Sequence, residues 1–126
     1  MKAILTSIGS TGDIQPFFAL ADELRRHGHQ VVMASDGEEG IERFRNDTFD
    51  LVFTDLGMPR ISGWEVGKTI KKINPKVPIV MITGWGMELD RDKMNENGID
   101  LIVSKPFQFD QVIDLVSEAM DLKEKI

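Results

Sequence analysis

The chain reads as one α/β domain built on a five-stranded, doubly wound parallel sheet in the order 2-1-3-4-5. Three observations lead there. Short apolar runs alternate with amphipathic stretches five times along the sequence, the pattern of repeated βα units. The last four runs are continuously apolar rather than alternating, which suits strands covered on both faces. The connections are short, and right-handed crossovers with helices on both faces leave this order as the best topology. The length of 126 residues, 41% of them hydrophobic, is enough for a core of ordinary domain size.

Each element has its own warrant. The strands fall near 2–7, 30–34, 49–54, 77–82 and 99–103. The first helix, near 15–27, carries Pro16 in its first turn and Phe17, Leu20, Ala21 and Leu24 on one face; Gly28 ends it. The second begins at Ser35, with Glu38 three residues on completing a capping box. Ser62 and Glu65 repeat the device before the third, whose inner face is Val66, Ile70 and Ile73, and Asn74-Pro75 stops it. The fourth, about 87–96, rests on Leu89 and Met94 alone before Gly98. The fifth, about 109–123, buries Val112, Leu115, Val116 and Ala119.

Composition narrows the function classes. A formal net charge of −6 disfavours nucleic acid and anionic membrane as partners. Zero cysteines exclude disulfides and thiolate metal sites and fit a cytoplasmic compartment. No apolar stretch approaches the roughly 20 residues needed to span a bilayer, and the first strand is not a signal peptide. His27 and His29 flank Gly28 at a helix end and are a poor metal signal. Trp64 and Trp85 are site-rim residues or partial core aromatics.

Three apolar runs end in chemistry. Asp55 closes the third strand and opens Leu56-Gly57-Met58-Pro59-Arg60-Ile61-Ser62-Gly63. Thr83 follows the fourth strand, and Lys105, before Pro106-Phe107, follows the fifth. A parallel sheet sets such ends side by side on its carboxyl rim, where open α/β folds place their sites. The bland alternative is a strand-end carboxylate paired with Lys105. Together these residues, from about 30 to 124, resemble the receiver domain of bacterial response regulators, a flavodoxin-like, CheY-like fold. The resemblance implies a signalling domain that is not an enzyme. Asp55 would be the phosphoryl acceptor, with Thr83 and Lys105 contacting the phosphoryl group and the Gly57 carbonyl ligating Mg2+. A histidine kinase or small phosphodonor would be the partner, and the face of helix 4, strand 5 and helix 5 the output surface.

The match departs at the first strand. Receivers carry two adjacent acids at its end to hold Mg2+; here Thr6-Ser7 stand there. With Asp55 as the one remaining acid ligand, Mg2+ binding is expected to be weak, and no other cofactor is implied. Asp13, in the long loop that follows, either swings in as a replacement ligand or caps the first helix; the cap is the better fit. The loop Gly9-Ser10-Thr11-Gly12 is not a P-loop, since no Gly-Lys-Ser/Thr follows. The last strand also carries Ile102 where receivers usually have an aromatic residue.

Residues 1–34, with Ile8-Gly9-Ser10-Thr11-Gly12-Asp13 and Gly28-His29-Gln30-Val31-Val32, resemble the amino-terminal βαβ unit of GT-B glycosyltransferases. The expected reading is therefore an engineered chimera with a seam near 28–36, forming one monomeric domain with a vestigial phosphoacceptor site. The alternative is a working receiver of a two-component system, phosphorylated on Asp55. A glycosyltransferase fragment fails on size, because such enzymes need a second domain for the donor.

Overall fold

The computed structural model describes residues 1–6, 14–56, 60–83, 91–104 and 109–125. Ten elements alternate: β1 (Lys2–Thr6), α1 (Ile14–Arg26), β2 (Gln30–Ala34), α2 (Gly37–Asn46), β3 (Leu51–Asp55), α3 (Gly63–Ile73), β4 (Ile79–Thr83), α4 (Arg91–Glu96), β5 (Leu101–Ser104) and α5 (Phe109–Lys125). The five strands form one sheet in the order β2-β1-β3-β4-β5, parallel at every pairing. This is the expected flavodoxin-like topology.

Strand alternation divides the core in two. Leu5, Leu51, Phe53, Val80 and Ile82 face α1 and α5, where Leu20, Leu24, Val112 and Val116 meet them. Ile4, Val52, Ile79 and Met81 face α2 and α3, against Ile41, Phe44, Val66 and Ile70. Both sheet faces are thus covered, as the continuous apolar runs require.

The ladders of β3, β4 and β5 start two residues later than the apolar runs. Phe49, Val77 and Ile99 are buried but precede the paired segments. Two acids inside these approaches have a specific task. The Asp50 carboxylate accepts from the Lys2 amide at 2.9 Å, and the Asp100 carboxylate accepts from the Ile79 amide at 2.8 Å. Each closes the amino rim by satisfying the first amide of a neighbouring strand. The shift makes Asp55 and Thr83 the last residues of their ladders.

The cap of α3 is the expected one, and that of α2 is not. Ser62 caps α3, accepting from the Glu65 amide at 3.4 Å. The cap of α2 is Asp36, not Ser35; its carboxylate accepts from the Glu39 amide at 2.8 Å. Glu39, not Glu38, reaches back, accepting from the Ser35 amide at 2.8 Å and from its hydroxyl. The box is displaced by one residue because Asp36 is as good a cap as Ser35 and leaves Gly37 and Ile41 facing inward. Gly28 ends α1 at φ 85°, with the His29 amide donating to the Leu24 carbonyl at 3.1 Å, a left-handed stop. Of the fourth helix, Arg91–Glu96 is described and none of it is buried; Leu89 and Trp85 lie outside the described residues. Ile73 of α3 is exposed rather than inward, and Leu115 is only partly buried.

Candidate phosphoacceptor site

Asp55 is the carboxyl-terminal residue of β3, the central strand, and is 9% exposed. Thr83 ends the adjacent β4 and is 4% exposed. In register Asp55 lies across from Ile82, and the Leu56 amide donates to the Ile82 carbonyl at 3.1 Å. The β3–β4 pairing therefore continues past the acid and holds the two strand ends at neighbouring-strand distance, about 5 Å. The Thr83 hydroxyl donates to the Val103 carbonyl at 3.5 Å, a long bond that ties it toward β5. Lys105, Gly57 and Asp13, and with them the alternative of an Asp55–Lys105 pair, lie outside the described residues.

Leu56, directly after Asp55, lies against the start of α3. The Gly63 amide donates to the Leu56 carbonyl at 3.0 Å. A Cβ on Gly63 would stand 2.5 Å from the Asp55 carbonyl oxygen, so only glycine admits this approach. Arg60, in the same connection, has φ 68°, a left-handed conformation uncommon outside glycine. Its guanidinium lies 3.7 Å from Glu38 on α2.

Sequence reasoning missed a pair of hydroxyls beside the acid. Thr6 Oγ1 donates to Thr54 Oγ1 at 2.7 Å, and Thr54 Oγ1 donates to the Asp55 carbonyl at 3.2 Å. Both threonines are fully buried, and Thr6 pairs in register with Thr54. The sequence shows a threonine closing β1 and one just before Asp55 in β3, but only the register brings the two together. Elsewhere, Trp64 is partly buried against the α2–α3 core, and Lys93 stands 5.1 Å from its ring centroid. It is thus a packing aromatic between α3 and α4. His27 Nε2 lies 3.4 Å from Glu23, while burial, aided by the nearby amino terminus, lowers the His29 pKa; among the described residues neither joins a metal-ligand group.

Among the described residues the donor set does not make up a preformed Mg2+ site. Such a site takes one or two carboxylates, often completed by substrate phosphates. Among the described residues no group of three or more His, Cys, Asp or Glu could hold a metal. At the end of β1 the Thr6 hydroxyl is committed to Thr54, and its methyl group packs against Gly40 of α2. A buried, bonded threonine is a structural filler and not a cation ligand.

Comparison with known proteins agrees with this geometry. The family model described as Response regulator receiver domain matches residues 16–117. The chain is 34% identical over 125 residues to hybrid signal transduction histidine kinase D of Dictyostelium discoideum, covering 98% of this chain and 8% of that protein. It is 36% identical over 84 residues to the alkaline phosphatase synthesis transcriptional regulatory protein PhoP of Bacillus subtilis, covering 67% of this chain and 35% of that one. The chain thus spans about a third or less of these curated relatives. Among solved structures, a CheY-like receiver domain protein from Methanospirillum hungatei superposes with TM-score 0.85 at 25% identity, covering 99% of this chain and 98% of that one. A receiver domain protein from Clostridium thermocellum gives 0.80 at 26%, with 98% of each chain covered.

Proposed function

A match of that extent makes the chain a member of the response regulator receiver domain family, and from this we propose that it is a working receiver of a two-component system, phosphorylated on Asp55. The observation that carries the reading is the position of Asp55 as the last residue of the central strand, beside Thr83 at the end of β4. A carboxylate oxygen of Asp55 attacks phosphorus, the bond from phosphorus to the donor's leaving atom breaks, and the acyl phosphate stays on β3. The leaving group carries away the electron pair of the broken bond. A histidine kinase or a small acyl phosphate is the donor class.

The site differs from a typical receiver in charge. Thr6 and Ser7 stand where an acid pair is usual, so we expect Mg2+ to bind weakly and phosphorylation to be slow. The output surface in this reading is the groove of about 450 Å³ between α4 and β5, lined by Arg91, Met94, Ile99 and Ile102.

The engineered-chimera reading gains no support. The family match begins at residue 16, inside the segment that resembles a glycosyltransferase. The alignment with the hybrid kinase runs over 125 residues, across the expected seam. Intact-mass spectrometry after incubation with acetyl phosphate and Mg2+ tests the proposal. One added phosphoryl group, absent in Asp55→Asn, supports it. An unmodified chain under conditions that phosphorylate an intact receiver overturns it.

A further inference from the structure

We propose that the outer face of α3, with the groove between α3 and α4, docks an acidic extended segment of a partner protein. The inference does not rest on phosphorylation of Asp55; it starts from an uneven charge distribution. Residues 60–76 hold five basic side chains, Arg60, Lys68, Lys71, Lys72 and Lys76, against one acid, Glu65. The rest of the chain holds ten basic side chains against twenty acids. A basic strip on an acidic domain focuses the local potential and selects partners by complementarity.

Three of the five are available for binding, while Arg60 pairs with Glu38 on α2. Lys68, Lys72 and Lys76 are exposed, and among the described residues none of the three forms an ion pair. Lys71 differs from them: its ammonium is 2.9 Å from the Asp100 carboxylate, and its stem lies over Gly98, where an added Cβ would come within 2.4 Å of Lys71 Cγ. It builds the groove wall instead of binding. The groove holds about 360 Å³ between Lys68, Lys71 and Lys72 on one side and Asn95 and Asn97 on the other, with Glu96 the one acid lining it. Ile73, 39% exposed, is the exposed large hydrophobic side chain among the described residues, and it adjoins Lys72 in sequence.

Spacing and charge favour a protein segment. Lys68 and Lys72 are one helical turn apart, a rise of about 6 Å. Alternate residues of an extended chain are about 6.6 Å apart, so acids at every second position can meet successive lysines while an apolar neighbour covers Ile73. A nucleic acid needs a long run of cationic contacts, and the acidic remainder of the surface repels one.

The test is a nuclear magnetic resonance titration of the full 15N-labelled chain with a short peptide alternating glutamate and threonine. Single-stranded DNA and phosphatidylserine vesicles serve as competing probes. The peptide should shift the amides of α3 and residues 95–98, more weakly as salt rises. Lys68→Glu/Lys72→Glu should weaken binding about tenfold, and Lys68→Gln/Lys72→Gln provides the same test by weakened binding should the reversal fail to fold. Arg26→Glu/Arg45→Glu, with the same change in net charge elsewhere, should leave affinity within about twofold. Equal loss in that control, absence of shifts in the groove, or tighter binding of DNA or vesicles than of the peptide would overturn the proposal.

Discussion

Gly40 of α2 should be intolerant of alanine because of one methyl group on β1. A Cβ added at Gly40 would lie 2.1 Å from Thr6 Cγ2 and 3.3 Å from Thr6 Cβ, where carbon atoms prefer about 3.5–4.0 Å. Thr6 has little freedom to yield. Its backbone is paired with both β2 and β3, its side chain is fully buried, and rotation about χ1 would break the 2.7 Å bond to Thr54. Overpacking of this kind costs about 1–3 kcal/mol, and a buried hydroxyl left unpaired costs about 1–3 kcal/mol more. The helix regains about 1 kcal/mol when glycine becomes alanine. We therefore expect Gly40→Ala to destabilise the domain by about 2 kcal/mol, lowering Tm by roughly 6–10 °C. Thr6→Ser removes the offending methyl and keeps the hydroxyl. Alone it should cost about 1 kcal/mol, and combined with Gly40→Ala it should restore most of the loss. Urea unfolding at constant m-value would give the double-mutant cycle, with an expected coupling of about 1–2 kcal/mol. Additive effects, or a Gly40→Ala variant more stable than the parent as helix propensity alone would have it, would refute the packing argument.

Further expectations concern charge and backbone. The Glu39 pKa is lowered to about 2 by hydrogen bonds from the Ser35 hydroxyl and amide, with Arg43 adding to them. A depressed carboxylate stabilises the fold above its unfolded pKa and loses that contribution as pH falls through the folded value. Glu39→Gln should thus lower stability at neutral pH by at most about 1 kcal/mol, given solvent screening, and the gap should close between about pH 4.5 and 2 in urea titrations. Arg60→Asn should be stabilising by a few tenths of a kcal/mol, since asparagine accepts the left-handed φ of 68° and the exposed pair with Glu38 contributes little; a loss above about 1 kcal/mol in thermal unfolding would assign that pair a larger role. Mg2+ followed by Trp fluorescence should show no saturation below about millimolar concentrations, because Thr6 is bonded inward; a sub-millimolar response would point to a ligand such as Asp13.

Sheet order and helix faces were legible because periodicity and strand composition obey burial on both faces: Leu20, Leu24, Val66, Ile70, Val112 and Val116 are all buried. The strand starts were not, because hydropathy reports burial and not pairing. Phe49, Val77 and Ile99 enter the core before the ladders begin, and the roles of Asp50 and Asp100 depend on amides distant in sequence. The cap of α2 was read one residue early because Ser35 and Asp36 are both competent, and only packing of the following turn chooses between them. The strand-end positions of Asp55 and Thr83 were legible from the apolar runs that precede them. The Thr6–Thr54 pair was not, since register across β1 and β3 is a tertiary fact.

Gly63 separates the site from the scaffold in a way that can be measured. At Gly40 an added methyl group meets a side chain; at Gly63 it meets backbone alone, 2.5 Å from the Asp55 carbonyl oxygen and 2.9 Å from Leu56 Cα. No rotamer change relieves that overlap, so either the start of α3 withdraws or the peptide after Asp55 turns. Withdrawal would stretch the 3.0 Å bond from the Gly63 amide to the Leu56 carbonyl and loosen Val66 and Ile70, which are fully buried. Turning the peptide would disturb the 3.2 Å contact from Thr54 and re-aim the carboxylate. We expect Gly63→Ala to show both effects. Stability should fall by about 2 kcal/mol or more, and acetyl phosphate labelling of Asp55, measured at a temperature where the variant remains folded, should slow at least tenfold. A misplacement of about 1 Å is enough for a loss of that order. Normal labelling in a destabilised variant would mean that the helix alone moves and that the peptide after Asp55 is held by other contacts. Normal labelling with unchanged stability would refute the close approach itself.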